Sequence, residues 1–183
     1  MLAERLFGNW VYGGVLAGLL LLGLAPVLAA PLGEATRLAY LALAAYMLHQ
    51  YEEHDADRFR LFVNAALGPG RCGLSVADVF VINIAGVWGV IAIALWLAER
   101  AAPGWALIAA WLLLVNALAH IAQAARMRRY NPGLVTATAV FIPLGLWMLI
   151  VIWPMARPVQ HLVSLGLVLG LHAAIVARAA RPV

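Results

Sequence analysis

The chain has 183 residues, 66% of them hydrophobic and 11% charged, with a formal net charge of +4 and a mean hydropathy of +0.95. A soluble domain of this size carries about 25% charged residues, so the composition excludes an ordinary soluble enzyme and indicates a polytopic membrane protein. All 12 basic residues are arginine, and no basic stretch interleaves with aromatics, so nucleic acid is not an expected partner. Cys72 is alone, which rules out an intramolecular disulfide or a CxxC site.

In chain order, apolar stretches of about 20 residues, the length needed to cross roughly 30 Å of hydrocarbon, recur six times. They run from Trp10 to Ala29, Leu38 to His54, Val76 to Ala98, Trp105 to Gln123, Leu134 to Trp153 and Val159 to Ala177. The breaks fall at Pro26 and Pro31 with Gly33, at Gly68-Pro69-Gly70, at Pro103-Gly104, at Asn131-Pro132-Gly133, and at Pro154 with Pro158. The first stretch is too long for a leader's apolar region and is expected to be retained. After the second, Ala56 to Asn64 reads as an amphipathic extension. The expected fold is therefore an all-α bundle of about six spans forming a single transmembrane domain over residues 1–183.

Arginine placement orients this bundle. Arg5, Arg58, Arg60, Arg71, Arg126, Arg128, Arg129, Arg178 and Arg181 fall on one side of a six-span arrangement, and Arg37, Arg100 and Arg157 on the other. By the positive-inside rule both termini are expected in the cytoplasm. Trp10, Trp105, Trp111, Trp147 and Trp153 lie in or beside spans, several near the ends, as an interfacial belt requires. Gly14 with Gly18, and Gly166 with Gly170, form GxxxG pairs that allow close helix approach, within one bundle or between two copies in a homodimer.

Ionisable groups are costly at membrane depth and tend to face a protein interior. The second span ends His49-Gln50-Tyr51-Glu52-Glu53. His49 and Glu53 are four residues apart and share a face, with Glu52 rotated by about 100°. In the fourth span Asn116, His120 and Gln123 repeat at i, i+4 and i+7. At about 1.5 Å per residue these groups, together with Asn83 and His172, fall in the same inner half of the bilayer. Two polar stripes in hydrocarbon are expected to turn toward each other.

A histidine and a carboxylate one turn apart present two ligands to one ion. His120 supplies a third, and His172 is a candidate fourth. Such a set suits a divalent metal, zinc ahead of ferrous iron. Glu52 is then free for acid and base work, with Asn83 and Asn116 positioning substrate or an oxyanion. His54, Asp55, Asp57, Arg58 and Arg60 are expected to form a solvated helix end with i, i+3 ion pairs, and His161 to be interfacial.

The order His49-x-x-Glu52-Glu53, then His120, then Tyr130-Asn131-Pro132-Gly133-Leu134-Val135-Thr136-Ala137 resembles the HXXEE family of small bacterial membrane proteins, a likeness that runs from the second span into the fifth. The resemblance supports these positions as a motif, names no reaction, and implies a bacterial inner membrane. The expected activity is that of a membrane-embedded, metal-dependent, hydrolase-like enzyme working on a lipid or other hydrophobic substrate from the cytoplasmic side. Two alternatives stay open: a metal-free acid/base lipid isomerase or hydrolase, and a proton-coupled transporter.

Overall fold

The computed structural model describes residues 2–183, with side chains from Glu4 onward. Among the described residues the fold is all-α, with six long helices and one short one. They are α1 (Leu2–Leu28), α2 (Glu34–His54), the short α3 (Arg58–Leu67), α4 (Val76–Arg100), α5 (Pro103–Met127), α6 (Leu134–Met155) and α7 (Pro158–Ala179). Five of them, α1 and α4 to α7, are long and apolar enough to cross a membrane, which makes the chain a membrane protein.

The second expected span is a long helix, but it is not among those five, and its position explains why. Fourteen of its twenty-one residues are buried, including Thr36, His49, Gln50, Glu53 and His54. Packed against α1, α4, α5 and α6, it meets protein on most of its surface. Its polar groups therefore find partners inside the bundle, where a lipid-facing helix would leave them unsatisfied. Tyr46, Phe141, Ile91, Leu107, Leu112 and Met148, all essentially inaccessible, form the core around it.

Local sequence sets the helix ends. Arg37 reaches back to the carbonyls of Ala29, Ala30 and Leu32, satisfying acceptors just beyond the end of α1. α4 opens with a capping box between Ser75 and Asp78, and Asp78 also pairs with Arg178 of α7 at 2.8 Å. α7 opens with Pro158 at its first position. Gly18 lets α1 lie on α2, since a Cβ there would stand 2.9 Å from Met47 Cβ; Gly14 meets Trp88 of α4 in the same way. Gly166 and Gly170 have nothing within 4 Å of an added Cβ, so among the described residues the second GxxxG pair packs no helix.

The extension expected after α2 forms as α3, but it is not continuous with it. Ala56 and Asp57 adopt left-handed backbone at φ 52° and 61°, turning the chain so that α3 folds back over the end of α2. Two helices carry π-type stretches, Ile82–Gly89 in α4 and Ala137–Phe141 in α6. Such widened turns recur at functional sites, and both border the region described next.

The start of α1, the end of α2, the start of α4, the end of α5, the start of α6 and the end of α7 gather at one end of the bundle. Phe7 stacks near Phe80, Tyr12 donates to Asp55, Tyr130 donates to Glu52, and Gly73 bonds the backbone of Ala179. The nine arginines counted together from sequence lie at or near this end.

Candidate metal centre

Three helices build the site. His49 and Glu53 come from the last turns of α2, and His120 from α5. The Asn131-Pro132-Gly133 turn crosses over them before α6 begins with Leu134, Val135 and Thr136. His49 is fully buried, His120 is 3% and Glu53 5% exposed. One ligand atom from each lies within 4.8 Å of the others. His49 Nε2 is 3.5 Å from Glu53 Oε2, and His120 Nε2 is 3.5 Å from Glu53 Oε1.

The hydrogen bonds behind the imidazoles assign their tautomers. Thr136 has one hydroxyl proton, and it donates that proton to Glu52 Oε2. The 2.7 Å contact between His49 Nδ1 and Thr136 Oγ1 must therefore be donated by the imidazole, which turns Nε2 toward Glu53. Asn131 Nδ2 donates to the His120 carbonyl at 2.8 Å, which fixes the amide and makes Oδ1 the acceptor from His120 Nδ1 at 2.9 Å. His120 Nε2 is thereby turned toward Glu53 Oε1. Two imidazole Nε2 atoms and a carboxylate thus converge in a water-poor space.

The two 3.5 Å separations run to different oxygens of Glu53, so the carboxylate lies between the two imidazoles with one oxygen toward each.

Gly133 makes this convergence sterically feasible. Its φ is +96°, and a Cβ built on it would stand 2.7 Å from His120 Cε1 and 2.9 Å from His49 Cε1. The turn can lie across the two imidazoles because this residue has no side chain. Phe141 and Tyr46 complete the packing of the His49 ring.

Glu52 lies one step behind the centre. Its carboxylate accepts from Tyr130 Oη at 2.8 Å, Val135 N at 3.0 Å, Thr136 N at 2.7 Å and Thr136 Oγ1. It caps the start of α6, where unpaired N–H groups and the helix dipole favour an anion. Tyr130, in the loop outside the spans, has its phenol pushed up by burial and by the Glu52 carboxylate. Glu52 therefore reaches His49 through Thr136 and has little acceptor capacity left over.

A pocket of about 660 Å³ opens from the centre. Of the residues anticipated from sequence, Glu53, Asn83, Asn116, His120, Gln123 and His172 all line it. His49 stands behind the wall. Asn83 is engaged, accepting from Gln50 Nε2 at 2.8 Å and donating to Val79 O, while Gln50 in turn accepts from Trp88 Nε1. Asn116 Oδ1 has no hydrogen-bond donor among the described residues. His172 bonds its own helix through Nδ1 to Val168 O at 2.9 Å and is not in the three-ligand group, so the structure sets it on the pocket wall.

Sequence reasoning missed two contributors. His54, expected on a solvated end, is 6% exposed, lines the pocket and places Nε2 3.1 Å from Glu53 Oε2. Trp10 of α1 and Phe59 of α3 enclose it, and neither is its neighbour in sequence. Asn131, wholly buried, positions His120. The expected ion pairs Asp55–Arg58 and Asp57–Arg60 do form nearby, and His161 stacks on Trp153 at a ring-centroid distance of 4.2 Å.

No curated protein and no solved structure matches the chain. Residues 40–148, more than half of its length and all of the centre just described, match the family described as a protein of unknown function with HXXEE motif, and the chain belongs to that family.

Proposed function

We propose that this protein is a membrane-embedded, metal-dependent hydrolase acting on a lipid or other hydrophobic substrate, with zinc as the preferred ion. The observation that carries this reading is the convergence of three buried ligand atoms, two of them on imidazoles each oriented by a bond through its other nitrogen, beside a largely apolar pocket. Two histidines and one carboxylate are a ligand set used by catalytic zinc, which keeps a further position for water or substrate. Bound there, a divalent ion supplies a Lewis acid and a water made acidic enough to attack at neutral pH.

The chain's own residues supply the rest. His49, Glu53 and His120 hold the ion. Glu52 acts through Thr136, keeping the His49 Nδ1 proton in place so that Nε2 stays a ligand. Asn131 does the same for His120. Asn83 and Asn116 offer polar contacts along the pocket wall, and the surrounding leucines, valines and aromatics exclude water and receive an apolar chain. His54, beside Glu53 and facing the pocket, is the nearest further imidazole to an incoming substrate. The arginine-rich end carrying the site is assigned to the cytoplasmic face of a bacterial inner membrane.

The test is turnover. Zinc-loaded protein in vesicles of extracted bacterial lipid should convert one lipid class to cleavage products detected by mass spectrometry, and metal-stripped protein and His120→Ala should not. Lipid left unchanged by wild-type protein, or changed equally by His120→Ala, contradicts the proposal.

A further inference from the structure

The pocket has a polarity that indicates what enters it. Its exposed lining residues are Ala66 of α3, Ala119 and Arg126 of α5, and Val176 of α7, so it opens sideways between α5 and α7 under the edge of α3. Three of those four are apolar, as an opening onto hydrocarbon requires. Among all the lining residues two are acids or bases of fixed charge: Glu53 on the floor and Arg126 on the rim.

Most of the arginines around Arg126 have a side-chain partner; Arg128, like Arg126, has none among the described residues, but of the two only Arg126 lines the pocket. Arg58 and Arg60 are paired with Asp55 and Asp57, Arg178 with Asp78, and Arg71 bonds Ala180 O, while Arg129 lies over the Phe62 ring. Arg126 makes no ion pair or hydrogen bond among the described residues and is turned to the pocket. Six residues separate it from His120, about 9 Å along the helix. In the other direction Leu112, with Tyr46, Val87 and Leu171 beside it, continues the pocket about 12 Å beyond His120. From rim to inner end the order is therefore cation, metal-ligand cluster, apolar channel.

We propose that the substrate is a single-chain anionic amphiphile, with a phosphate or carboxylate head held by Arg126, its polar linkage at the His49–Glu53–His120 centre, and its chain in the apolar channel. This rests on the hydrolase reading for what happens at the centre, but not for what binds. A guanidinium recognises either oxyanion through paired N–H groups, so the shared chemistry is the anionic head. A volume of about 660 Å³ suits one chain, since pockets of roughly 300–1,000 Å³ hold ligands of that size.

The experiment is equilibrium binding of radiolabelled dodecyl phosphate to full-length protein in phosphatidylcholine nanodiscs, with empty discs subtracted. Competition by laurate, dodecanol and inorganic phosphate, and the variants Arg126→Gln and Arg126→Lys, complete it. Dodecyl phosphate and laurate should bind about tenfold more tightly than dodecanol, a difference typical of one charge-assisted hydrogen-bonding contact. Arg126→Gln should abolish that preference and Arg126→Lys retain part of it, each with wild-type thermal stability because the side chain is exposed. Equal binding of dodecanol, an unchanged preference in Arg126→Gln, or full displacement by inorganic phosphate at matched concentration overturns the proposal. Zinc titration of the same protein separates the two readings. Arg126-dependent preference in protein that takes up no zinc on titration would sink the hydrolase and leave the amphiphile, whereas zinc uptake without preference would do the reverse.

Discussion

Gly133→Ala is the substitution whose effect follows most directly from the geometry. The residue sits at φ +96°, and an added Cβ would stand 2.7 Å from His120 Cε1 and 2.9 Å from His49 Cε1. Neither ring can retreat at low cost. His49 is held by Thr136 and packed on Phe141, and His120 is held by Asn131. Left-handed backbone at a non-glycine residue costs about 1–2 kcal/mol, and forcing a methyl group into a packed interior about 1–3 kcal/mol. Together they give a destabilisation of about 2–5 kcal/mol, and a metal affinity lowered by about 10- to 100-fold as the imidazoles are displaced. Gly33→Ala is the control, since its added Cβ meets nothing within 4 Å. Denaturant titration reports the stability loss, and zinc titration against a chromogenic chelator reports the affinity. If Gly133→Ala matches Gly33→Ala in both, the turn does not lie across the two imidazoles and the site as described is wrong.

Glu52→Gln places an amide N–H₂ among four donors, so it should lower stability by about 2–3 kcal/mol in a denaturant titration while metal still binds; loss of activity with unchanged stability would return Glu52 to a direct proton-transfer role. Asn131→Ala strips His120 Nδ1 of its acceptor and the His120 carbonyl of a donor, and should weaken zinc binding by about 10- to 100-fold with little change in ligand number by X-ray absorption. Tyr130 gives a pH signature. Its phenol is raised by burial and by Glu52, so the bond to Glu52 persists above the ordinary phenol range near 10 and is lost only as pH rises through the higher folded value. Ultraviolet titration of wild type against Tyr130→Phe should therefore show one phenol ionising late, and a missing component at ordinary pH refutes the contact. Reporter fusions at the C-terminus should read cytoplasmic; a periplasmic signal would reverse the orientation taken from arginine counts.

Much of the site was legible because helical spacing is local. His49 and Glu53 at i, i+4 had to share a face, and the polar stripe carrying His120 had to avoid lipid, so their meeting followed from the cost of leaving either row unsatisfied. His172 shows the limit of depth alone, since it has the right height and lines the same pocket but bonds its own helix. His54 was misjudged because its burial depends on Trp10 and Phe59, which only the fold-back at Ala56 and Asp57 brings over it. The Glu52 contacts had a readable signal: an Asn-Pro-Gly turn followed by a helix start leaves backbone N–H groups in need of an acceptor, and an acid was available. The second helix has the length of a span but is less apolar than the other long helices. That weaker apolarity goes with its place as the helix the others enclose.

Metal analysis of the purified protein tests the central claim most directly. Wild-type protein and His172→Ala should each carry about one zinc ion per chain, and His49→Ala and His120→Ala should lose it while remaining folded by circular dichroism. Wild-type protein that neither retains zinc on purification nor takes it up on titration would contradict the claim that His49, Glu53 and His120 form a metal centre.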